Sequence, residues 1–275
     1  MGIFKELKRY LKSEWYNIRY YHQIKLITLL LLLLIIIFFP ITIPLIIIGF
    51  ILGMLIEIIP EKREYDKSLY KVITKKSYYA ILFDRGYIAE YFTWRILNNQ
   101  EEYKKVLINL YIPNEHYTSE IDSILINKHG IFVVESKGYS GWIFGNESQK
   151  KWTQVLYKNK NRFYNPIVQN RNHIKALANI LGIEDVNIFR SYIIFSERCE
   201  LKKITVNKPN VRVIKRNQLQ NTLDKDYEEY GDVLLNSQIR EFNNKLSDYM
   251  FANDDIKKEH IKYVEKVKNK ETKFM

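Results

Sequence analysis

Asp122, Glu135 and Lys137 are the residues whose types and spacing bear most directly on chemistry. Glu135 and Lys137 lie two apart in the β-branched and aromatic run Ile131–Lys137, so in a strand they project from one face. The run Glu120–Asn127 reads as a partner strand, joined to it through Asn127-Lys128-His129-Gly130. If Lys128 and His129 form a two-residue loop, counting outward from the Asn127–Gly130 pair sets Asp122 directly opposite Glu135. Side chains paired in this way sit ~4.5–5.5 Å apart at Cβ. Two carboxylates and one ammonium then meet at a single place.

Opposed carboxylates repel unless something compensates them. A divalent, oxygen-seeking cation such as Mg²⁺ (or Mn²⁺) does so, binding one or two carboxylates and otherwise water. A lysine beside it can hold or deprotonate an attacking water, while the ion takes up charge on a phosphoryl oxygen. The same triplet also describes a plain sheet face on which Lys137 bridges the two carboxylates. A D-x12-E-x-K spacing is short, and taken alone it favours that second reading.

The elements that would carry these residues follow from periodicity and punctuation. Ser77–Asn98 reads as one helix, with Ile81, Ile88, Phe92 and Ile96 on an apolar face. Lys105–Ile112 reads as a strand stopped by Pro113. Trp142–Lys160 reads as short strands about a polar turn at Lys158-Asn159-Lys160. Asn165-Pro166 opens a helix that Gly182 ends. Arg190–Ser196 and Val211–Ile214 read as buried strands, and the remainder as helix. The class is α/β, a mixed central sheet flanked by helices.

Several segments, in the same order, resemble the nuclease-related domain (NERD) family. They are Gly86-Tyr-Ile-Ala-Glu90, Glu120-Ile-Asp122, Gly130-Ile-Phe-Val-Val-Glu135-Ser-Lys137, Gly141-Trp-Ile-Phe-Gly145 and Asn165-Pro-Ile-Val-Gln169-Asn-Arg-Asn-His173. The resemblance spans roughly Asp84 to Glu197 and is far more specific than the triplet. It departs at Ala89, where many members carry glycine. It implies a PD-(D/E)xK, restriction-endonuclease-like fold. Asp122 and Glu135 would bind metal, with the backbone carbonyl of Ser136 and the helical Glu90 as further ligands. Lys137 would position the water, and Gln169 would orient substrate or the lysine. Without the resemblance, Glu90 is equally an exposed helix charge, and Gln169 and His173 one face of a helix. Tyr139, Trp142, Trp152, Tyr157, Phe163 and Tyr164 could stack bases, although packing is the commoner use of such residues.

Composition limits the rest. The chain has 275 residues and a net charge of +12, an excess that suits nucleic acid or an anionic membrane surface. A lysine-rich composition without any polyanion partner gives the same figure. Cys199 is the single cysteine, and the five histidines show no ligand spacing. A disulfide framework and a cysteine-rich zinc site are thereby excluded, and a reducing compartment fits. From Leu26 to Ile56 no residue is charged. As helix this run would extend ~46 Å, against a hydrocarbon core of ~30 Å. Pro40 and Pro44 interrupt it, and basic residues flank it on both sides, which favours a helical hairpin over a single transmembrane helix. The expected organisation is a basic amphipathic helix (1–23), a membrane segment (24–59) and a charged connector (60–83). The nuclease-like domain (84–200), the rest of its core (201–251) and a charged tail (252–275) follow. The function this implies is a divalent-metal-dependent nuclease acting on DNA. It would be held at the cell membrane, with lipid bilayer and nucleic acid as partners and the domain facing the cytoplasm. The alternative is a non-catalytic nucleic-acid-binding or scaffolding module.

Overall fold

The computed structural model describes residues 2–114 and 117–273. The chain divides into two compact units, Met1–Glu64 and Tyr65–Met275. The first unit is helix α1, which runs from Gly2 to Asp66 without interruption. The turn expected around Pro40 and Pro44 is therefore not made. The segment between the prolines is Ile-Thr-Ile and offers no Gly, Asn or Asp for a reverse turn. Each proline removes only one donor, and the rest of the ladder continues. Apolar side chains of α1 stand exposed, among them Leu26, Leu45 and Phe50. Among the described residues, no helix is long and apolar enough to cross a membrane.

The second unit opens with α2 (Leu69–Thr74), α3 (Tyr78–Phe83) and α4 (Arg85–Asn98). Strands β1 (Lys104–Asn114), β2 (Tyr117–Asn127) and β3 (Gly130–Lys137) follow, then β4 (Gly141–Asn146), β5 (Lys151–Leu156) and β6 (Asn159–Tyr164). Next come α5 (Pro166–Leu181), β7 (Phe189–Phe195), β8 (Cys199–Thr205) and β9 (Val211–Lys215). Helices α6 (Leu219–Tyr230), α7 (Asn236–Leu246) and α8 (Asp254–Lys273) end the order.

Two sheets form where one was expected. The larger has strand order β1-β2-β3-β7-β9, and the smaller β6-β5-β4-β8. In the larger, β1, β2 and β3 are antiparallel, whereas β3, β7 and β9 are parallel. Every residue of β7 is buried, as for a parallel strand covered on both faces. On one face, Phe132, Val134, Tyr192 and Ile194 pack with Leu97 of α4 and with Leu219 and Leu223 of α6. On the other, Ile193 and Phe195 pack with Ile167 of α5 and with Ile143 and Trp152 of the smaller sheet. Strand β8 carries only two clear apolar positions on a charged background, which is why periodicity does not reveal it.

Two further expectations are corrected. The helix read over Ser77–Asn98 is broken at Asp84, whose Oδ1 accepts from the backbone N–H groups of Gly86 and Tyr87 and caps α4. The charged connector is part of the fold. Tyr65, Tyr70 and Tyr78 are buried; Tyr65 and Tyr70 pack edge-on or tilted against Tyr91 and Trp94 of α4 at ring separations of 5.1–5.8 Å, and Tyr78 packs on Tyr65 at 5.5 Å. Lysines dominate this segment in number, but its tyrosines decide where it goes. The segment read as a charged tail forms α8 and touches β2 through His260.

Candidate metal centre

The register of the β2–β3 hairpin is the one that a Lys128–His129 loop demands. Asn127 faces Gly130, Leu125 faces Phe132 and Ser123 faces Val134. The ladder stops there, one step before Asp122 would face Glu135. Had it continued, the Ser136 N–H would meet the backbone of β2. Instead it donates to Asp122 Oδ2 at 2.7 Å. The β1 side is interrupted at the same place. Ile108 pairs with Ser123 and Leu110 with Ile121, while Asn109 between them takes φ of 52° and pairs with nothing across from it. Asparagine tolerates this left-handed conformation better than most residues. Asp122 thus sits at a gap in both ladders, its carboxylate fixed by a backbone donor.

Glu135 is 2% exposed. Its Oε1 receives a 2.5 Å bond from Lys137 Nζ, and Lys137 Nζ also donates to Gln169 Oε1 at 3.1 Å. Helix α5 delivers Gln169. Its start is set by Asn165, whose Oδ1 accepts from the Ile167 N–H, while its Nδ2 donates to the carbonyls of Asn146, Glu147 and Gln149. One turn beyond Gln169, buried His173 brings Nδ1 to 3.6 Å from Glu135 Oε2. Neither atom has a hydrogen-bond partner. Glu90 Oε2 lies 3.2 Å from Tyr70 Oη, which can donate to it. The aromatic cluster beneath α4 therefore sets the position of this carboxylate. Glu120, two residues before Asp122, accepts from Tyr111 Oη at 2.6 Å and faces His260 Nε2 at 3.4 Å.

The electrostatics follow from four carboxylates sharing little space. Burial raises the Asp122 carboxyl well above its ordinary value, and the charges of Glu135 and Glu90 add to this. Burial, then the charge of Glu120, pushes Glu90 up to about 7. Burial would lower the Lys137 ammonium, but Glu135 and Asp122 outweigh it and the group stays charged. Burial lowers His173 and keeps its imidazole neutral, against the pull of Glu135. Unneutralised carboxylates held this close take up either protons or a cation.

Buried Glu135 Oε2, without a hydrogen-bond partner, and the fixed carboxylate of Asp122 suit a hard divalent cation. Among the described residues, no group of three or more His, Cys, Asp or Glu side chains is gathered closely enough to hold a metal by itself. A bound ion would complete its shell with backbone oxygen and water.

Of the residues singled out in the sequence, Glu90, Glu135 and Lys137 all act on the charge of Asp122, and Gln169 accepts a hydrogen bond from the lysine. Sequence reasoning missed Tyr70, Tyr111, Glu120 and His260. Glu120 had a signal, since Glu-Ile-Asp in a strand puts both carboxylates on one face. His260 had none, because only tertiary packing brings it to β2.

The nuclease-related domain family (NERD) matches residues 85–196, from the start of α4 to just past the end of β7. An uncharacterized protein of Bacillus anthracis is 36% identical over 161 residues, covering 58% of this chain and 73% of that protein. No solved structure matches the chain. With the aligned motifs brought together around a buried Glu135 and a fixed Asp122, the chain belongs to the nuclease-related domain family.

Proposed function

We propose that this protein is a divalent-metal-dependent nuclease that hydrolyses phosphodiester bonds, with DNA as the substrate. The observation that carries the reading is the linked set of Asp122, fixed by the Ser136 N–H, Glu135 with one oxygen left over, and Lys137 held by Gln169. A salt-bridged sheet face needs none of the gaps in pairing that surround Asp122. Asp122 and Glu135, with the Ser136 carbonyl and water, would hold Mg²⁺ or Mn²⁺; Glu90, a further ligand by the family resemblance, does not gather with them into a three-carboxylate group. When bound, the ion supplies charge stabilisation at the phosphoryl group. Lys137 stays protonated and is restrained on two sides, so it orients water by donating hydrogen bonds. Gln169 acts through Lys137, restricting the ammonium to one rotamer. His173, neutral and next to Glu135, is placed to accept a proton from a water near that carboxylate.

The test is cleavage of a labelled DNA duplex and single strand by the full chain in detergent, with Mg²⁺ or Mn²⁺. Asp122→Ala and Glu135→Ala should each reduce cleavage at least ~1,000-fold, on the order expected when the main electrostatic stabilisation is lost. Unchanged cutting in both variants would sink the assignment. Retained binding without any turnover in the wild-type chain would instead support the non-catalytic module.

Attachment to the cell membrane through residues 24–59, with the domain on the cytoplasmic side, belongs to the same proposal. It is supported by the uncharged run Leu26–Ile56 and by the exposure of its apolar side chains. Such a surface is unfavourable in water by ~25 cal/mol per Å². The single cysteine, buried and with its thiol pushed up to about 11 by that burial, suits a reducing compartment.

A further inference from the structure

The smaller sheet has two unlike faces. Ile143, Trp152, Cys199 and Leu201 turn inward onto the core shared with β7. The register places Trp142 beside Val155, Val155 beside Lys160, and Thr153 beside Arg162, all on the outward face. Tyr164 of β6, paired with Lys151, and Lys203 of β8, paired with Phe144, lie on the same side. Trp142 is 50% exposed and Tyr164 38% exposed; Tyr157, at the β5–β6 turn, is 94% exposed. Lys158, Lys160, Arg162 and Lys203 make no ion pair with any described residue. The single acidic residue on this face, Glu200, is taken up by Lys202, which also stands 5.3 Å over the Trp142 ring. Of the aromatic residues in this region, Trp152, Phe163 and Tyr139 pack inside. Trp142, Tyr157 and Tyr164 are left exposed.

We propose that this outer face is a binding platform for single-stranded nucleic acid. Unpaired lysine and arginine neutralise phosphates, and exposed rings accept stacked bases without regard to sequence. The match is one of charge: a nearly one-signed basic face against a polyanion. The platform begins close to the metal centre along the chain. Lys137 ends β3 and Trp142 follows five residues later, a span of at most ~17 Å. The junction is fixed by Gln154 Nε2 donating to the Ser140 carbonyl at 2.7 Å. The inference takes the class of polymer from the nuclease reading but does not depend on turnover.

Binding of a fluorescent single-stranded oligonucleotide to the full chain, in EDTA so that nothing is cut, tests it by anisotropy across a salt series. The double variant Lys160→Glu/Arg162→Glu should weaken binding at least ~10-fold. It should also lower the slope of log K against log salt by about 1.4, at ~0.7 per phosphate contact on a single strand. Trp142→Ala should weaken binding ~10-fold, within the range for one lost stacking partner. A variant of equal charge change elsewhere, Lys225→Glu/Arg240→Glu, should leave affinity within twofold. Equal weakening by the two double variants, no weakening by either, or no wild-type binding would each overturn the platform. Lys160→Gln/Arg162→Gln replaces the first variant if circular dichroism shows that it does not fold. Hydrolysis of bis(p-nitrophenyl) phosphate, too small to reach the platform, separates the two readings. Its loss in Asp122→Ala with oligonucleotide binding intact assigns each to its own site. A wild-type chain that binds the strand through this face yet hydrolyses neither substrate would sink the nuclease reading and leave the platform standing.

Discussion

Asp122 and Glu135 differ in how the fold holds them, and the difference has consequences. Asp122 is fixed by one backbone N–H at a break in the sheet, whereas Glu135 is buried with one oxygen unbonded. Either carboxylate should therefore be needed for metal uptake as well as for cleavage. At Mn²⁺ near 100 times its dissociation constant, the wild-type chain should gain about 2.7 kcal/mol of stability. Asp122→Ala should gain almost none. Thermal denaturation with and without the ion measures this, and an equal shift in both proteins would remove Asp122 from the metal shell. Gly145 gives a second expectation. A Cβ there would come to 2.1 Å from the Trp152 ring, so Gly145→Ala should destabilise the unit by about 1–3 kcal/mol in urea denaturation. No change in stability would show that Trp152 does not need this close approach.

Two elements govern the site from outside it. Helix α4 carries Glu90, and its first turn rests against the chain just past Lys137. A Cβ on Gly138 would lie 1.9 Å from the Arg85 carbonyl oxygen. Gly138→Ala should therefore push α4 outward and reduce cleavage about 100-fold, as a ~1 Å misplacement does. Its melting temperature should move far less than its rate. A variant as active as the wild type would show that the approach of α4 is not required. Helix α8 is held by His260, which bonds the Thr118 carbonyl at 2.6 Å and faces Glu120. Burial would lower the His260 pKa, but Glu120 outweighs it and raises it above the ordinary 6.5. The stability this contributes is full below 6.5 and is lost as pH rises through the raised value. Burial would raise Glu120, but its hydrogen bonds from His260 and Tyr111 lower it below 4.5. That contribution is present above 4.5 and is lost as pH falls through the lowered value. Hydrogen exchange of residues 254–266, corrected for the intrinsic rate, should thus show more protection at pH 6 than at pH 8.5. His260→Gln should flatten the difference, and an unchanged ratio would release α8 from this control.

For the whole molecule, the exposed apolar side chains of α1 and the basic outer face of the smaller sheet make two different demands on the surroundings. Under the proposals above, the first would be met by lipid or detergent and the second by an anionic polymer. The full chain should sediment with membranes and resist extraction by high salt, leaving only with detergent. Release by salt alone would mean that charge, and not residues 24–59, is what holds it.

The sequence by itself determined the local facts. The Lys128–His129 loop set the β2–β3 register, because side-chain alternation has a period of two and a slip would turn the apolar set to the wrong face. Asn165, Pro166 and Gly182 bounded α5, because capping chemistry is local. The motif order gave the family and named Glu90, Asp122, Glu135, Lys137 and Gln169. Tertiary structure decided what depends on distant neighbours. The charged connector became part of the core because Tyr65 and Tyr70 found Tyr91 and Trp94, with Tyr78 packed on Tyr65, and burial outweighs a high count of lysines. The strands parted at Asp122 because its carboxylate took a backbone donor that an ideal ladder would have used. His260, more than 130 residues from Glu120, joined the site's surroundings only because α8 docks on β2. Pairing at such a distance leaves no periodic trace in sequence, so it becomes visible only when the chain is folded.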